Sequence, residues 1–134
     1  MLLVNVYVAK SSIHGLGVFA ADPISAGTET WRFSSGFDLD LDAKFIENLR
    51  REFFNELMYF GYIDSKLNRY ILCSDDARFI NHSETPNLST DYSLDKYGID
   101  IAVRDIRAGE ELTIDYTSYE KNSRFSLVKS EFGI

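Results

Sequence analysis

The amino-acid sequence has few of the residues that cross-link small proteins or bind metals. Its 134 residues include one cysteine, Cys73, and two histidines, His14 and His82. A single cysteine excludes a disulfide within the chain and fits a reducing compartment. One cysteine and two histidines cannot complete a four-ligand Cys/His zinc site in one chain, so we expect no metal. With only two prolines and eight glycines, the chain is not a low-complexity sequence.

Long apolar runs are missing as well. The longest runs in the sequence are far shorter than a membrane-spanning segment. The first residues, MLLVN, have neither the basic start nor the long apolar core of a signal peptide. We therefore expect no membrane partner and a cytoplasmic location, or a nuclear one if the source cell has a nucleus.

Positive charge is in deficit, with 14 Lys and Arg against 21 Asp and Glu, which gives a net charge of −7. An acidic surface does not suit binding to phosphates, so we expect no direct contact with nucleic acid. The charge fits a basic partner, although acidity also serves solubility. Apolar residues make up 45% and aromatic residues 14% of the chain, which excludes a disordered chain and predicts one folded domain over residues 1–134.

Hydrophobic periodicity predicts many short strands and one helix. The helix is expected over residues 42–60, with Asp42 as its N-cap and Gly61 at its end. The predicted strands cover residues 2–9, 18–20, 28–33, 70–73, 99–103 and 111–115. This pattern is typical of a mostly β fold of hairpins and short curved sheets with one helical insert.

Two segments place polar or flexible groups where a ligand could bind. In residues 12–20, SIHGLGVFA, Gly15 and Gly17 allow backbone groups to approach a ligand closely. In residues 78–87, RFINHSETPN, Asn81 offers a donor and an acceptor directly after an apolar pair. An ordinary turn and a capped loop are the structural alternatives for these two segments.

A third segment, AGEELTIDY at residues 108–116, predicts a turn followed by a strand that ends in Tyr116. A tyrosine at a strand end is usually a core or rim residue. It can also place a phenol hydroxyl at the mouth of an apolar channel, where the hydroxyl can take part in catalysis.

In their order, their spacing and their residues, the three segments together resemble the SET-domain protein-lysine methyltransferases. Residues 12–20 are similar to the N-terminal glycine motif of that family. Residues 78–87 resemble its cofactor-and-knot motif, and residues 109–116 its catalytic-tyrosine motif. The resemblance implies a knot-like β-clip fold, binding of the cofactor S-adenosylmethionine, and transfer of its methyl group to a lysine of a histone or another basic protein, on chromatin in a eukaryotic nucleus.

The resemblance also implies a division of the chain. The core would cover about residues 10–117, the helix would lie in a variable insert at about residues 38–62, and a C-terminal tail would follow at residues 118–134. The implied cofactor residues are Gly15, Leu16, Gly17, Asn81, His82 and Tyr59.

By the same resemblance, Tyr116 would orient the lysine amine for in-line methyl transfer. Ile114, Tyr119 and Phe125 would line the channel through which the lysine enters. Many active relatives have Phe or Tyr at the position of Ile114, where it limits how many methyl groups are added, so the number of methyl groups stays open.

The chain departs from many relatives after Tyr116, because no cysteine follows and the zinc-binding segment that closes the channel elsewhere is missing. An aromatic tail with Tyr119, Phe125 and Phe132 could close the channel instead. A second subunit in a homodimer is the other possibility. The alternative function is a non-catalytic module of the same fold that binds a basic peptide or protein.

Overall fold

Short strands dominate the computed structural model of the chain, which describes residues 1–119. The strands, in chain order, are β1 (Val6–Lys10), β2 (Leu16–Ala20), β3 (Glu29–Arg32), β4 (Leu39–Leu41), β5 (Tyr62–Asp64), β6 (Arg69–Leu72), β7 (Asn81–His82), β8 (Leu88–Asp91), β9 (Ile99–Ala102) and β10 (Thr113–Ile114). The helices are α1 (Ala43–Glu47) and α2 (Arg51–Phe60), and single 3-10 turns cover Asp76–Phe79 and Tyr116–Ser118. The predicted mostly β fold class is confirmed.

The strands form three small sheets. β1 and β2 make an antiparallel hairpin, and β4, β6 and β5 make a three-stranded antiparallel sheet in that order. The largest sheet has the order β3-β9-β8-β10-β7. β10, which comes last of these five strands along the chain, runs parallel to both of its neighbours. The end of the sequence motif with Tyr116 is thus inserted between β7, which lies in the motif that contains Asn81, and β8, which follows that motif directly.

Asn87 fixes this insertion from the side. Its side-chain amide donates to the backbone oxygen of Glu111 at 2.8 Å, and its side-chain oxygen accepts from the backbone nitrogen of Thr113 at 2.8 Å. Asn87 is 2% exposed, so water does not compete for these bonds. Asn87, in a segment whose sequence also fits a polar loop, therefore provides the hydrogen bonds that these two backbone groups do not receive from a neighbouring strand.

A hydrophobic core lies under the hairpin and the large sheet. It is drawn from β2, β8, β9, β10 and the loops beside them: Val18, Ala20, Ile24, Ile80, Leu88, Ala102, Ile106, Leu112, Ile114 and Tyr116. Backbone bonds between Ile24 and Ile106, at 2.8 and 2.9 Å, tie two of these loops together. Tyr116 is therefore a member of the core as well as a candidate site residue.

The insert contains two helices rather than the single helix predicted for residues 42–60. Asp42 caps α1, as expected, by accepting from the backbone nitrogen of Phe45. Asn48 then ends α1, and its side chain donates to the backbone oxygen of Lys44. Arg50 has an extended backbone with ψ 148°, which interrupts the helical hydrogen bonding. α2 ends at Gly61, as predicted.

No helix within residues 1–119 is both long enough and apolar enough to cross a membrane. The same residues hold no group of three or more His, Cys, Asp and Glu side chains that could bind a metal ion.

We expect Asn87→Ala to destabilise the fold by about 2–4 kcal/mol, because it leaves a buried N–H and a buried C=O without partners. Urea unfolding followed by circular dichroism measures this loss. Asn5→Ala is the matched control, since the side chain of Asn5 is exposed and its hydrogen bond, to Asp22, is exposed too. Equal losses for the two variants would contradict the role assigned to Asn87.

Candidate active site

Asn81 joins the first two sequence motifs. Its side-chain nitrogen donates to the backbone oxygens of His14 and Leu16, at 3.0 and 3.1 Å. The turn between them contains Gly15, whose φ of +46° lies in the left-handed region that suits glycine. The amide thereby holds the shape of the turn from the side of β7. The side-chain oxygen of Asn81 has no hydrogen-bond partner in residues 1–119, so it can accept one from a ligand.

The third motif reaches the same turn through Glu111. A Cβ atom on Gly17 would lie 2.8 Å from the Cδ atom of the Glu111 side chain and 3.2 Å from the Cβ atom of Ser11. Glycine is therefore needed at residue 17 for Glu111 to pack there. Both carboxylate oxygens of Glu111 are buried, and neither has a hydrogen-bond partner in the described part of the chain. A carboxylate without partners favours a cationic or hydrogen-bond-donating neighbour.

Tyr116 is held at both its backbone and its hydroxyl group. Its backbone nitrogen donates to Nδ1 of His82 at 3.1 Å, and its hydroxyl donates to the backbone oxygen of Ile80. Because Nδ1 of His82 accepts this bond, the neutral imidazole carries its proton on Nε2. The hydroxyl of Tyr116 uses its proton on Ile80, so toward any other group its oxygen acts as an acceptor.

A partly open cavity of about 40 Å³ lies between the five-stranded and three-stranded sheets. This volume holds about three water-sized atoms. The lining residues are Trp31, Phe60, Tyr62, Cys73, Ala77, Arg78, Ile80, Thr90, Tyr92, Tyr97, Asp100, Ile114 and Tyr119. The predicted channel residues Ile114 and Tyr119 are both among them. Ile80, the partner of the Tyr116 hydroxyl, lines the cavity too, so the cavity lies beside Tyr116.

Tyr119 connects Tyr116 with the far wall of the cavity. Its ring lies edge-on to Tyr62 with 4.7 Å between centroids, and 6.1 Å from the ring of Tyr116. Its backbone oxygen accepts from the backbone nitrogen of Ser65 at 2.8 Å. The segment after the Tyr116 turn is thus attached to β5, on the wall opposite β10.

Asp100 is the acidic residue among the described residues that line the cavity. Burial raises the pKa of Asp100 to about 7, because its charged form is poorly solvated. Burial likewise raises the pKa of the Cys73 thiol and of the Tyr62 and Tyr92 hydroxyls. Burial and a hydrogen bond to Asp40 raise the pKa of Tyr97 to about 12. Among these groups that line the cavity, Asp100 is therefore the one whose charge changes near neutral pH.

The structure brings most of the predicted site residues together. Asn81 contacts the turn of Gly15, Leu16 and Gly17 and pairs with β10, while the ring of His82 contacts Tyr116. Tyr59 lies apart: it is exposed on α2 and contacts Phe60, and no described hydrogen bond or ring contact links it to the glycine turn. Its predicted cofactor contact stays a prediction, and Phe125 lies outside the described residues.

Glu111, Asp100 and Trp31 were not singled out as site residues from the sequence. Trp31 has a buried indole N–H that lacks a partner in residues 1–119. Acidic residues inside predicted strands, such as Asp100 in 99–103, were the available signal. Whether such a residue faces a cavity depends on strand register, which a single sequence does not specify.

Comparison with known families gives one assignment for most of the chain. A family model described as SET domain matches residues 15–117. Histone-lysine N-methyltransferase trr of Drosophila melanogaster is 34% identical over 116 residues, and the match covers 84% of this chain and 5% of that protein. Human histone-lysine N-methyltransferase 2D is 33% identical over 115 residues, covering 84% of this chain and 2% of that protein. The chain thus spans only a small part of these relatives.

Comparison with solved structures shows the fold. Polycomb Repressive Complex 2 of Chaetomium thermophilum, in an autoinhibited conformation bound to S-adenosylmethionine, matches with a TM-score of 0.64 and 24% identity. The match covers 96% of this chain and 17% of the matched chain. The inserted strand β10 and the short sheets around it thus belong to a fold found in that complex.

We expect Asp100→Asn to stabilise the fold at pH 8 and to leave it unchanged near pH 4. In the folded protein the pKa of Asp100 is about 7, above its ordinary value of 3.8. Asp100 therefore destabilises the folded state at pH values at which its carboxyl group is charged. This penalty begins above the unfolded pKa and is complete above pH 7, at an upper bound of roughly 4 kcal/mol. Thermal unfolding at pH 4, 6 and 8 measures it.

Glu29→Gln is the control for this experiment, since Glu29 is an exposed acid on β3 of the same sheet. A stabilisation by Asp100→Asn that is the same at all three pH values would contradict the electrostatic explanation.

Proposed function

This chain belongs to the SET domain family, and on that premise we propose that it is a protein-lysine N-methyltransferase that uses S-adenosylmethionine. The family predicted from the three sequence motifs is thereby confirmed. The observation that carries the proposal is the convergence of these motifs: Asn81 bonds to the glycine turn, and Tyr116 bonds to His82 and Ile80 beside a cavity. We propose that residues 1–134 form one such domain, with an insert at about 38–62 and a tail at 118–134.

The glycine turn suits the cofactor in two respects. The side-chain oxygen of Asn81 is available to a donor, and the α-ammonium group of S-adenosylmethionine is one. The buried carboxylate of Glu111, which has no partner in residues 1–119, favours positive charge nearby, and the cofactor carries it on its sulfonium and ammonium groups. Backbone groups of Gly15, Leu16 and Gly17 would hold the amino-acid and sulfonium end. The backbone of His82 would bond to the adenine edge.

When bound, the cofactor supplies an electrophilic methyl group. The protein must then present a neutral lysine amine, although the ordinary pKa of lysine is about 10.4 and deprotonation near pH 7.4 costs roughly 4 kcal/mol. The positive sulfonium of the bound cofactor lowers this cost, because a like charge nearby disfavours the ammonium form of the lysine. The remaining requirement is alignment of the amine with the methyl group at about 3–3.5 Å.

Tyr116 is suited to that alignment. Its hydroxyl proton is engaged by the backbone oxygen of Ile80, so its oxygen can act only as an acceptor toward other groups. It can accept from an amine N–H and, by weak C–H···O bonds, from the polarised methyl group. Since Tyr116 is 6% exposed and fixed at its backbone by His82, the oxygen is positioned before the substrate arrives.

Ile114 and Tyr119 support placement of the lysine in the cavity, since both line it. The volume of about 40 Å³ accommodates about three heavy atoms, which matches Cδ, Cε and Nζ of a lysine side chain. The net charge of −7 favours a basic partner, and the named activity of the curated relatives is histone-lysine methylation. We therefore propose a histone or another basic protein as substrate.

The direct test uses S-adenosylmethionine labelled on its methyl group, mixed histones, and a panel of lysine peptides. Mass spectrometry locates the label, and we expect it on lysine Nζ. Cofactor binding without transfer to any lysine would favour the non-catalytic peptide-binding module. Absence of cofactor binding would reject the enzyme.

We expect Tyr116→Phe to lower the rate of methyl transfer by at least about a hundredfold, because the variant cannot hold the amine in line. Binding of S-adenosylmethionine, measured by calorimetry, should be retained. Tyr7→Phe is the matched control, since Tyr7 is exposed and stacks on Phe19 in the hairpin. Full activity of Tyr116→Phe would remove Tyr116 from the mechanism.

We expect Asn81→Ala to weaken binding of S-adenosylmethionine by about 10- to 100-fold, which corresponds to one or two lost hydrogen bonds. The variant loses both the acceptor offered to the cofactor and the two bonds that shape the glycine turn. Calorimetry with the Asn5→Ala protein as reference measures this effect. Unchanged affinity would show that the cofactor binds elsewhere.

A further inference from the structure

Three side chains form a row across the floor of the cavity. Trp31 on β3 lies opposite Asp100 on β9, and Asp100 lies opposite Thr90 on β8. Residues directly opposite each other on neighbouring strands project from the same face of a sheet. All three line the cavity, so this face of the large sheet is the cavity floor. We call these three residues the polar row.

The polar row leaves one acceptor and one donor unused. The hydroxyl of Thr90 donates to Oδ1 of Asp100 at 2.8 Å, and the hydroxyl of Thr30 donates to the backbone oxygen of Asp100 at 3.1 Å. These bonds fix the carboxyl group and its strand. The side-chain bond to Asp100 within residues 1–119 is made to Oδ1, which leaves Oδ2 to accept from a ligand or water. The buried indole N–H of Trp31 has no partner in the same residues. An acid whose charged form lowers the stability of the fold, and whose carboxylate is only partly hydrogen-bonded, is typical of a functional site.

The walls around the polar row favour a cation. Six of the lining side chains are aromatic: Trp31, Phe60, Tyr62, Tyr92, Tyr97 and Tyr119. Aromatic faces together with a carboxylate are the groups that bind alkylammonium ions in proteins. The lining cation, Arg78, is already engaged, since it donates to the backbone oxygens of Ser74 and Asp75 and lies over the ring of Phe60.

We propose that Asp100 is a specificity-determining residue of the cavity, whose carboxylate recognises the alkylammonium head of the substrate side chain. This inference rests on the proposed function, because the ammonium group in question is that of the target lysine. The unused Oδ2 accepts from the ammonium group, directly or through one water, while Thr90 holds Oδ1. The Trp31 indole closes the end of the cavity beside the carboxylate.

Recognition of this kind depends on pH. The titratable groups around Asp100 are Tyr62 from β5, Cys73 after β6, Arg78 from the 3-10 turn, Tyr92 and Tyr97 from the loop that joins β8 to β9, and Tyr119. Burial raises the pKa of the Tyr62 and Tyr92 hydroxyls and of the Cys73 thiol, so these groups stay neutral between pH 6 and 8. The amino terminus also acts on Asp100, where its positive charge favours the carboxylate. Asp100 is charged above pH 7 and loses its charge as the pH falls to 6. Ammonium binding therefore weakens as the pH falls.

The test uses n-propylammonium chloride as the probe and 1-propanol as its neutral counterpart. Trp31 is the single tryptophan of the sequence, so its fluorescence reports occupancy of the cavity in the full chain. At pH 8 and constant ionic strength, we expect Asp100→Asn to weaken propylammonium binding at least tenfold and to leave 1-propanol binding unchanged. Binding to the unsubstituted protein should weaken between pH 8 and pH 6, and binding to Asp100→Asn should not.

Two further variants separate recognition from structure. Glu29→Gln makes the same change of net charge on the exposed part of β3 and should leave binding unchanged. Thr90→Val releases Oδ1 and should weaken propylammonium binding less than Asp100→Asn does. The proposal would be overturned if the fluorescence of the unsubstituted protein did not respond to propylammonium, or if Asp100→Asn bound propylammonium as tightly as the unsubstituted protein does. It would also be overturned if Asp100→Asn lost affinity equally for propylammonium and for 1-propanol. Methyl transfer is measured separately, so the proposed function can fail while ammonium recognition is observed, and the reverse.

Discussion

The pairing of β10 with β7 and β8 is the constraint on which the rest of this structure depends. The strand has only two residues, Thr113 and Ile114, yet it joins Asn81 and His82 on one side to Leu88 on the other. Immediately before it, the backbone nitrogen of Leu112 donates to the oxygen of Val18 at 2.7 Å. The pairing therefore places the glycine turn, the asparagine and the tyrosine within one small region, although they are far apart in sequence.

Two carboxylates occupy different parts of this arrangement. The carboxylate oxygens of Glu111 are buried beside the glycine turn, and Asp100 on β9 lies on the floor of the cavity. Each has at least one oxygen without a partner among residues 1–119. In the proposed methyl transfer, a sulfonium would meet an amine that arrives as a cation, and one carboxylate on each side would match the charges of these two reactants. The acidity of the chain thus has a local counterpart within the site.

Features that depend on neighbouring residues could be predicted from the sequence. The caps at Asp42 and Gly61 are local hydrogen bonds, and both were predicted correctly. The break at Arg50 was not, because the apolar spacing continues across it, and it leaves Phe53 exposed instead of packed. β7 lies in a segment for which a capped loop was the alternative, and β8 was not predicted, since β7 pairs with β10 and β8 with β9 and β10. The three motifs were recognised together only through their resemblance to a family.

The candidate site likewise has one part that the sequence predicts and one part that depends on how the strands pair. Asn81 and Tyr116 stand in motifs with recognisable spacing, and the structure brings Asn81 to the glycine turn and Tyr116 to His82. The polar row of Trp31, Asp100 and Thr90 is produced by cross-strand register, which depends on pairing between distant segments. A single sequence contains no direct signal for that register. The cavity floor could therefore be described only after the sheet was known.

The inserted strand also has a consequence for how the protein is made. Residues 113–114 must be synthesised before the gap between β7 and β8 can close, and before the 109–112 segment can pair with β2. Until then, β2, β7 and β8 have open edges, which are the surfaces through which nascent chains aggregate. Because contacts so distant in sequence form slowly, emergence of the last strand from the ribosome sets the earliest moment at which the glycine turn, Asn81 and Tyr116 can meet.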